Sequence, residues 1–122
     1  MTNTYLQDFV AKPLFKPSVI LSHDSLYPKI SVITPSYNQE VFIERTILSV
    51  LNQNYPNVEY IIVDDRTPDN SNKIIRKYGE FAKLAGDGTN RGQTAAINYG
   101  LRQSTGEIVT FQNADDLYAP NA

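Results

Sequence analysis

Four short apolar runs in this chain are separated by segments long enough to hold helices, and that alternation narrows the possible folds more than any other feature. The runs are Ile30–Thr34, Tyr60–Val63, Phe81–Ala85 and Ile108–Phe111. β-Branched and aromatic residues fill the first, second and fourth, and turn-forming residues bound them, as strands require; Phe81–Ala85, with Lys83 inside it, is a weaker strand candidate. One intervening helix is expected from a cap at or near Asn38 to about Asn52, with Ile43, Ile47, Val50 and Leu51 on one face. A second opens at Asp69-Asn70-Ser71, passes through Ile74, Ile75 and Tyr78, and stops at Gly79. A third spans Gln93–Gln103, with Ala95, Ala96, Ile97 and Leu101 available for close packing. Ser104-Thr105-Gly106 then turns the chain into the last strand, which reads as buried. The order β-α-β-α-β-α-β predicts an α/β fold, a mostly parallel sheet with right-handed crossovers and helices on both faces. The strands are near-continuous apolar runs, which suits a sheet covered on both sides.

Residues 1–28 stand apart. Lys12-Pro13, Lys16-Pro17 and Tyr27-Pro28 interrupt any periodic pattern, because proline disfavours a helical residue before it and cannot donate to a ladder. This segment is expected to be an extended arm carrying Leu14, Phe15, Val19, Ile20 and Leu21, followed by one α/β domain over residues 29–122. His23, the only histidine, sits in a polar turn and reads as a surface residue. The formal net charge of −2 gives no electrostatic reason to expect a nucleic-acid partner. The absence of cysteine excludes disulfide and thiolate chemistry and fits a reducing compartment, so the expected location is the cytoplasm. No apolar run approaches the roughly 20 residues of a membrane span, and the start MTNTYLQDF lacks the pattern of a secretory signal.

Three polar clusters each follow a strand: Thr34–Asn38, Asp64–Asp69 and Asn113–Asp116. In a parallel sheet all three fall on one edge, where open α/β sheets bind ligands. Each cluster alone is also ordinary turn chemistry. Adjacent carboxylates such as Asp115 and Asp116 repel one another unless a proton or a cation intervenes, and a hard divalent cation, Mg²⁺ or Mn²⁺, resolves that conflict.

These residues carry a resemblance. The stretch ISVITPSYNQEVFIERTILSVLNQNYPNVEYIIVDD, followed by NRGQTAAINYGLRQSTGEIVTFQNADDLY, resembles the N-terminal half of a family 2 glycosyltransferase, the inverting type with a Rossmann-like GT-A fold. It covers about Ile30–Pro120. The motifs are P-S-Y-N after the first strand, V-D-D after the second, N-x-G-x-x-x-A-x-N-x-G leading into the third helix, and a D-x-D-like end to the fourth strand. The resemblance implies that Pro35, Ser36 and Tyr37 line a nucleotide-base pocket and that Asp64 bonds the base, usually uracil. It implies that Asn113 and Asp115 meet the ribose or the donor sugar, and that Asp115, with Asp116 beside it, holds a divalent metal on the diphosphate. Tyr37 offers a stacking face. Gly92 and the helix start at Gln93 offer backbone N–H groups to phosphate.

Three departures from the family pattern stand out. Asn113 replaces the first acid of D-x-D, so the site loses one negative charge. Arg66 replaces a glycine in the turn after the second strand, and Pro68 stiffens it. The family's catalytic base lies in an acceptor-binding half, downstream of Ala122. The expected function is therefore binding of a nucleotide sugar, UDP-linked, with a divalent metal, for inverting transfer to the hydroxyl of a saccharide or other acceptor. The chain alone is expected to lack the base, and its catalytic residue is unknown. The alternative is a non-catalytic nucleotide-binding or assembly module. Because the family's sheet continues past the D-x-D strand, an open edge here predicts self-association, with a homodimer as one solution.

Overall fold

The computed structural model describes residues 27–64, 67–86 and 92–122. The expectations for residues 1–26 of the arm, for His23, for Asp65 and Arg66, and for most of the loop before Gly92 fall outside these residues. The observed order is β1 (Ile30–Pro35), α1 (Ile43–Leu51), β2 (Val58–Val63), α2 (Ser71–Arg76), β3 (Lys83–Ala85), α3 (Gln93–Gln103) and β4 (Ile108–Phe111). All strand pairs are parallel, and the sheet order is β3-β2-β1-β4. The α/β class and the parallel sheet are those expected.

Strand residues alternate between two cores. Val32, Tyr60 and Ile62 point to one face and pack with Ile43, Ile47, Val50, Leu51 and Ile75 from α1 and α2. Ile33, Ile61 and Val63 point to the other and pack with Ala96 and Tyr99 of α3. The central strands are thus apolar on both faces because helices cover both. Gly100 lets α3 lie directly on β1: a Cβ added there would sit 2.5 Å from Ile33 Cγ2. Gly106 does the same for the turn before β4, where a Cβ would lie 2.6 Å from Ser31 Oγ and 2.7 Å from Ser31 N.

Two expectations need correction. The first helix does not start at Asn38. It starts at Ile43, with no side-chain cap on its first turn. Asn38 instead adopts a left-handed conformation (φ 58°), and its N–H bonds to the second polar loop. The second correction concerns β4, which is not buried: Ile108, Val109 and Phe111 are 48%, 38% and 60% exposed. It pairs only with β1 among the described residues, and α3 packs over β1 and β2 rather than over β4. An apolar run of this kind fits a central or an edge strand equally well, so its position in the sheet order decided its burial. No helix among the described residues is long and apolar enough to cross a membrane.

Candidate functional site

Because the strands are parallel, Pro35, Val63 and Phe111 end on the same edge, and the three polar clusters meet there. The first two clusters are locked together. Ser36 N–H donates to Val63 O (2.8 Å), continuing the β1–β2 ladder past the strand. Ser36 Oγ donates to Asp64 Oδ2 at 2.8 Å, and both residues are buried. This bond orients a carboxylate at the tip of a central strand. Tyr37, next in sequence, is an exposed aromatic residue, 44% accessible. A buried acid and an exposed aromatic residue can accept from the N–H of a heterocyclic base and stack on the ring.

Beyond Tyr37 the chain is held by the loop that precedes α2. Three successive amides, those of Asn38, Gln39 and Glu40, donate to Thr67 Oγ1 (2.9 Å), Ser71 Oγ (3.0 Å) and Asp69 Oδ2 (2.9 Å). Asp69 Oδ1 in turn accepts from Thr67 Oγ1 (2.8 Å), Ser71 Oγ (2.6 Å) and Ser71 N (2.9 Å). Partial burial pushes the Asp69 carboxyl up. The Ser71 hydroxyl and amide, the Glu40 amide and the Thr67 hydroxyl outweigh that and hold it down at about 2.

The third cluster is the turn after β4. Gln112 N–H donates to Ile33 O (2.9 Å), which extends the β1–β4 pairing by one bond. Thr46 Oγ1, buried on α1, lies 2.7 Å from Ala114 O and 2.9 Å from Asp116 O, so its single proton is shared between two carbonyls of the turn. Tyr118 N–H donates to Ser49 Oγ (3.2 Å), one helical turn further along. Asp115 and Asp116 are exposed. Asn113 Nδ2 lies 3.4 Å from Asp116 Oδ2, a long contact.

Gln93 also reaches the third cluster through its side chain. Its side-chain Nε2 donates to Asn113 Oδ1 (2.8 Å), which ties the start of α3 to the acidic turn. Gly92, at φ 95°, supplies the backbone conformation that lets the helix begin there.

The donor set of the turn suits a hard divalent cation. It offers two exposed carboxylates and an amide oxygen, all oxygen ligands, and the ion pairs among the described residues, Lys29–Glu59 and Lys77–Glu44, involve neither acid. No cluster of three acidic, histidine or cysteine side chains lies among the described residues. One or two carboxylates completed by substrate phosphates is the usual way Mg²⁺ is held in nucleotide enzymes.

Sequence reasoning placed Thr67 and Asp69 within a strand-end cluster without the contacts they make, and missed Thr46 and Ser71 as parts of this site. The run T-P-D-N-S does carry the local signature of side-chain-to-backbone turns, but nothing in it reveals that its acceptors face residues 38–40. A groove of about 630 Å³ lies elsewhere, beside α2 and β3 at the opposite edge of the sheet. Lys29, Glu59, Arg76, Phe81 and Leu84 line it, and it contains none of the strand-end residues.

Polar clusters gathered at the carboxyl ends of parallel strands, at least two of them cross-linked, mark the edge where open α/β sheets bind ligands. The chain belongs to glycosyl transferase family 2, whose family model matches residues 31–122. It is 42% identical over 95 residues to an uncharacterized glycosyltransferase of Haemophilus influenzae, covering 75% of this chain and 38% of that protein. It is 40% identical over 94 residues to the putative teichuronic acid biosynthesis glycosyltransferase TuaG of Bacillus subtilis, covering 75% and 37%. Among solved structures, the mannosyltransferase PcManGT of Pyrobaculum calidifontis, in complex with GDP-Man and Mn²⁺, matches with a TM-score of 0.73 and 29% identity, over 95% of this chain and 34% of that one. S. aureus TarS in complex with UDP-GlcNAc matches with a TM-score of 0.70 and 35% identity, over 76% and 28%. The chain spans between 30% and 38% of the length of three curated relatives it matches. The fold is the N-terminal half of the GT-A type that the sequence resembles.

Proposed function

We propose that this chain is the donor-binding part of a glycosyltransferase that takes a nucleotide-activated sugar, UDP-linked, together with Mg²⁺ or Mn²⁺. The observation that carries the reading is the arrangement at one sheet edge of the buried Ser36–Asp64 pair, the open Tyr37 ring and the exposed acidic turn at 113–116. In this reading Asp64 accepts from the base N–H while Pro35, Ser36 and Tyr37 shape the base pocket. Asn113 and Asp115 face the ribose and sugar, Gln93 steadies Asn113, and Asp115 with Asp116 holds the cation. A divalent cation held there would neutralise charge building on the departing diphosphate. In the inverting reaction the acceptor oxygen bonds to the anomeric carbon as the bond to the diphosphate breaks, and the acceptor proton passes to a base. In this reading the base belongs to an acceptor-binding half. GDP-Man in one structural neighbour and UDP-GlcNAc in another make the base the first variable to test.

Calorimetry with UDP and GDP, each with and without Mn²⁺, tests the reading. The expected result is tighter binding of UDP, strengthened by Mn²⁺. Asp115→Asn should remove most of the metal effect, and Asp64→Ala should weaken nucleotide binding even without metal. A folded sample giving no heat with either nucleotide in any condition refutes donor binding.

A further inference from the structure

We propose that Asp69, acting through Thr67 and Ser71, is a positioning residue for the nucleotide: it fixes the Ser36–Glu40 turn in the conformation that presents Tyr37 and Ser36 to the base. The inference rests on the donor-binding reading above and assigns a role to a residue that the reading leaves aside.

Proton direction decides which atoms of this cluster accept. Thr67 Oγ1 and Ser71 Oγ each carry one proton, and both protons point to Asp69 Oδ1. With the protons committed there, each hydroxyl turns lone pairs outward. Those lone pairs receive the N–H groups of Asn38 and Gln39, and Asp69 Oδ2 receives that of Glu40. One carboxylate therefore sets the acceptor side of three consecutive bonds. The backbone it holds includes Asn38 at φ 58°, a left-handed conformation that a non-glycine residue adopts at some cost and keeps only when its surroundings fix it. Tyr37 lies between that residue and the buried Ser36–Asp64 pair. Ser36 is pinned on one side by the ladder and by Asp64; the clamp pins the other side. Loss of the clamp leaves Tyr37 tethered at one end only, and the ring must then be ordered when the ligand binds.

An amide cannot replace the carboxylate. In Asp69→Asn, either the NH₂ group faces two hydroxyls and an N–H, or it faces the Glu40 N–H. In the first, the hydroxyls must turn round and release Asn38 and Gln39, and the Ser71 N–H still faces a donor; in the second, the Glu40 N–H loses its acceptor. Thr67→Val keeps the shape and removes one acceptor; Thr67→Ser keeps the acceptor.

UDP affinity in the presence of Mn²⁺, measured by calorimetry alongside thermal unfolding, tests the proposal in these three variants. Glu59→Gln is the control. Glu59 forms a comparable network with Ser31, Thr105 and Lys29 at the far edge of the sheet. Asp69→Asn and Thr67→Val should lose about tenfold in affinity, the equivalent of about one hydrogen bond. Thr67→Ser should stay within about twofold, and Glu59→Gln should lower the melting temperature without changing affinity. Amide exchange at residues 38–40 gives a second readout: it should accelerate in Thr67→Val with or without nucleotide. The clamp is overturned if wild type binds and Asp69→Asn binds as well, if Glu59→Gln loses affinity in parallel with stability, or if exchange at residues 38–40 is unchanged. Failure of wild type to bind any nucleotide overturns the donor-binding reading itself, and the positioning role with it.

Discussion

Replacing Gly100 by alanine tests how closely α3 must lie on the sheet. Two effects oppose each other. Alanine in a helix interior is favoured over glycine by about 1 kcal/mol. The new Cβ, however, falls 2.5 Å from Ile33 Cγ2, 3.3 Å from Cγ1 and 3.4 Å from Cδ1. Carbon atoms pack best near 3.5–4.0 Å, so something must move by about 1 Å. Ile33 has nowhere to go. It is fully buried on the central strand β1, paired on one side to β2 and on the other to β4, and its branched Cβ restricts the rotamer. The helix must lift instead. Inserting a methyl group into a packed contact costs about 1–3 kcal/mol, and this contact is severe enough to take the upper part of that range. The net loss is then about 1–2 kcal/mol. Urea unfolding should show a lower midpoint at an unchanged m-value. Ile33→Ala alone should cost about 2–5 kcal/mol through the cavity it leaves. In the Gly100→Ala background that cost should fall by about 1 kcal/mol, because the new methyl group partly fills the cavity. A neutral or stabilising Gly100→Ala, the outcome that helix propensity alone gives, refutes the close-packing argument. So does simple additivity of the two substitutions.

Gly106→Ala should destabilise more than Gly100→Ala, because its Cβ would meet backbone atoms, Ser31 N at 2.7 Å and Lys29 O at 2.8 Å, as well as a side chain; comparing the two urea midpoints checks the order. Acid unfolding should reveal Asp69. Its folded value of about 2 lies below its ordinary 3.8, so its contribution is complete above about pH 5. The contribution fades as the pH falls through 3.8 towards 2, and Asp69→Asn should flatten that part of a stability–pH curve. Thr46→Val removes the hydroxyl that holds two carbonyls of the acidic turn and should cost about 1–3 kcal/mol. It should also reduce the Mn²⁺ dependence of UDP binding although residue 46 carries no proposed ligand, and calorimetry with and without the metal separates the two effects.

The parts of the fold that depend on local pattern were readable in advance. β1 and β4 were placed by β-branched runs closed by Pro35 and opened by Gly106, and α3 by its boundaries at Gln93 and Gln103. The start of α1 was not, because the choice between capping a helix with Asn38 and bending it into a left-handed turn is made by Thr67, about thirty positions away. A side chain that distant leaves no trace in the residues around Asn38. The exposure of β4 was hidden for a related reason: its composition fits a core strand, and only the order β3-β2-β1-β4 puts it at an edge. At the site, residue types and strand ends pointed to Ser36, Tyr37, Asp64 and the 113–116 turn. The cross-links that hold them, from Thr46 to the turn and from Gln93 to Asn113, join segments that only the tertiary fold brings into contact.

The turn after β4 is fastened almost wholly by its main chain. Thr46 grips the carbonyls of Ala114 and Asp116, Asp116 N–H returns to Asn113 O (3.1 Å), and Gln112 N–H bonds to Ile33 O. None of these bonds depends on which side chain occupies position 113, 115 or 116. The Gln93–Asn113 bond does depend on a side chain of the turn, but the main-chain bonds hold the turn at the sheet edge whichever residues stand at 113, 115 and 116. This is how an asparagine can stand at position 113, where the family pattern has an acid, within an otherwise intact backbone. Under the proposed donor-binding reading, a change of metal preference or donor sugar would need only side-chain substitutions here, with the scaffold beneath kept.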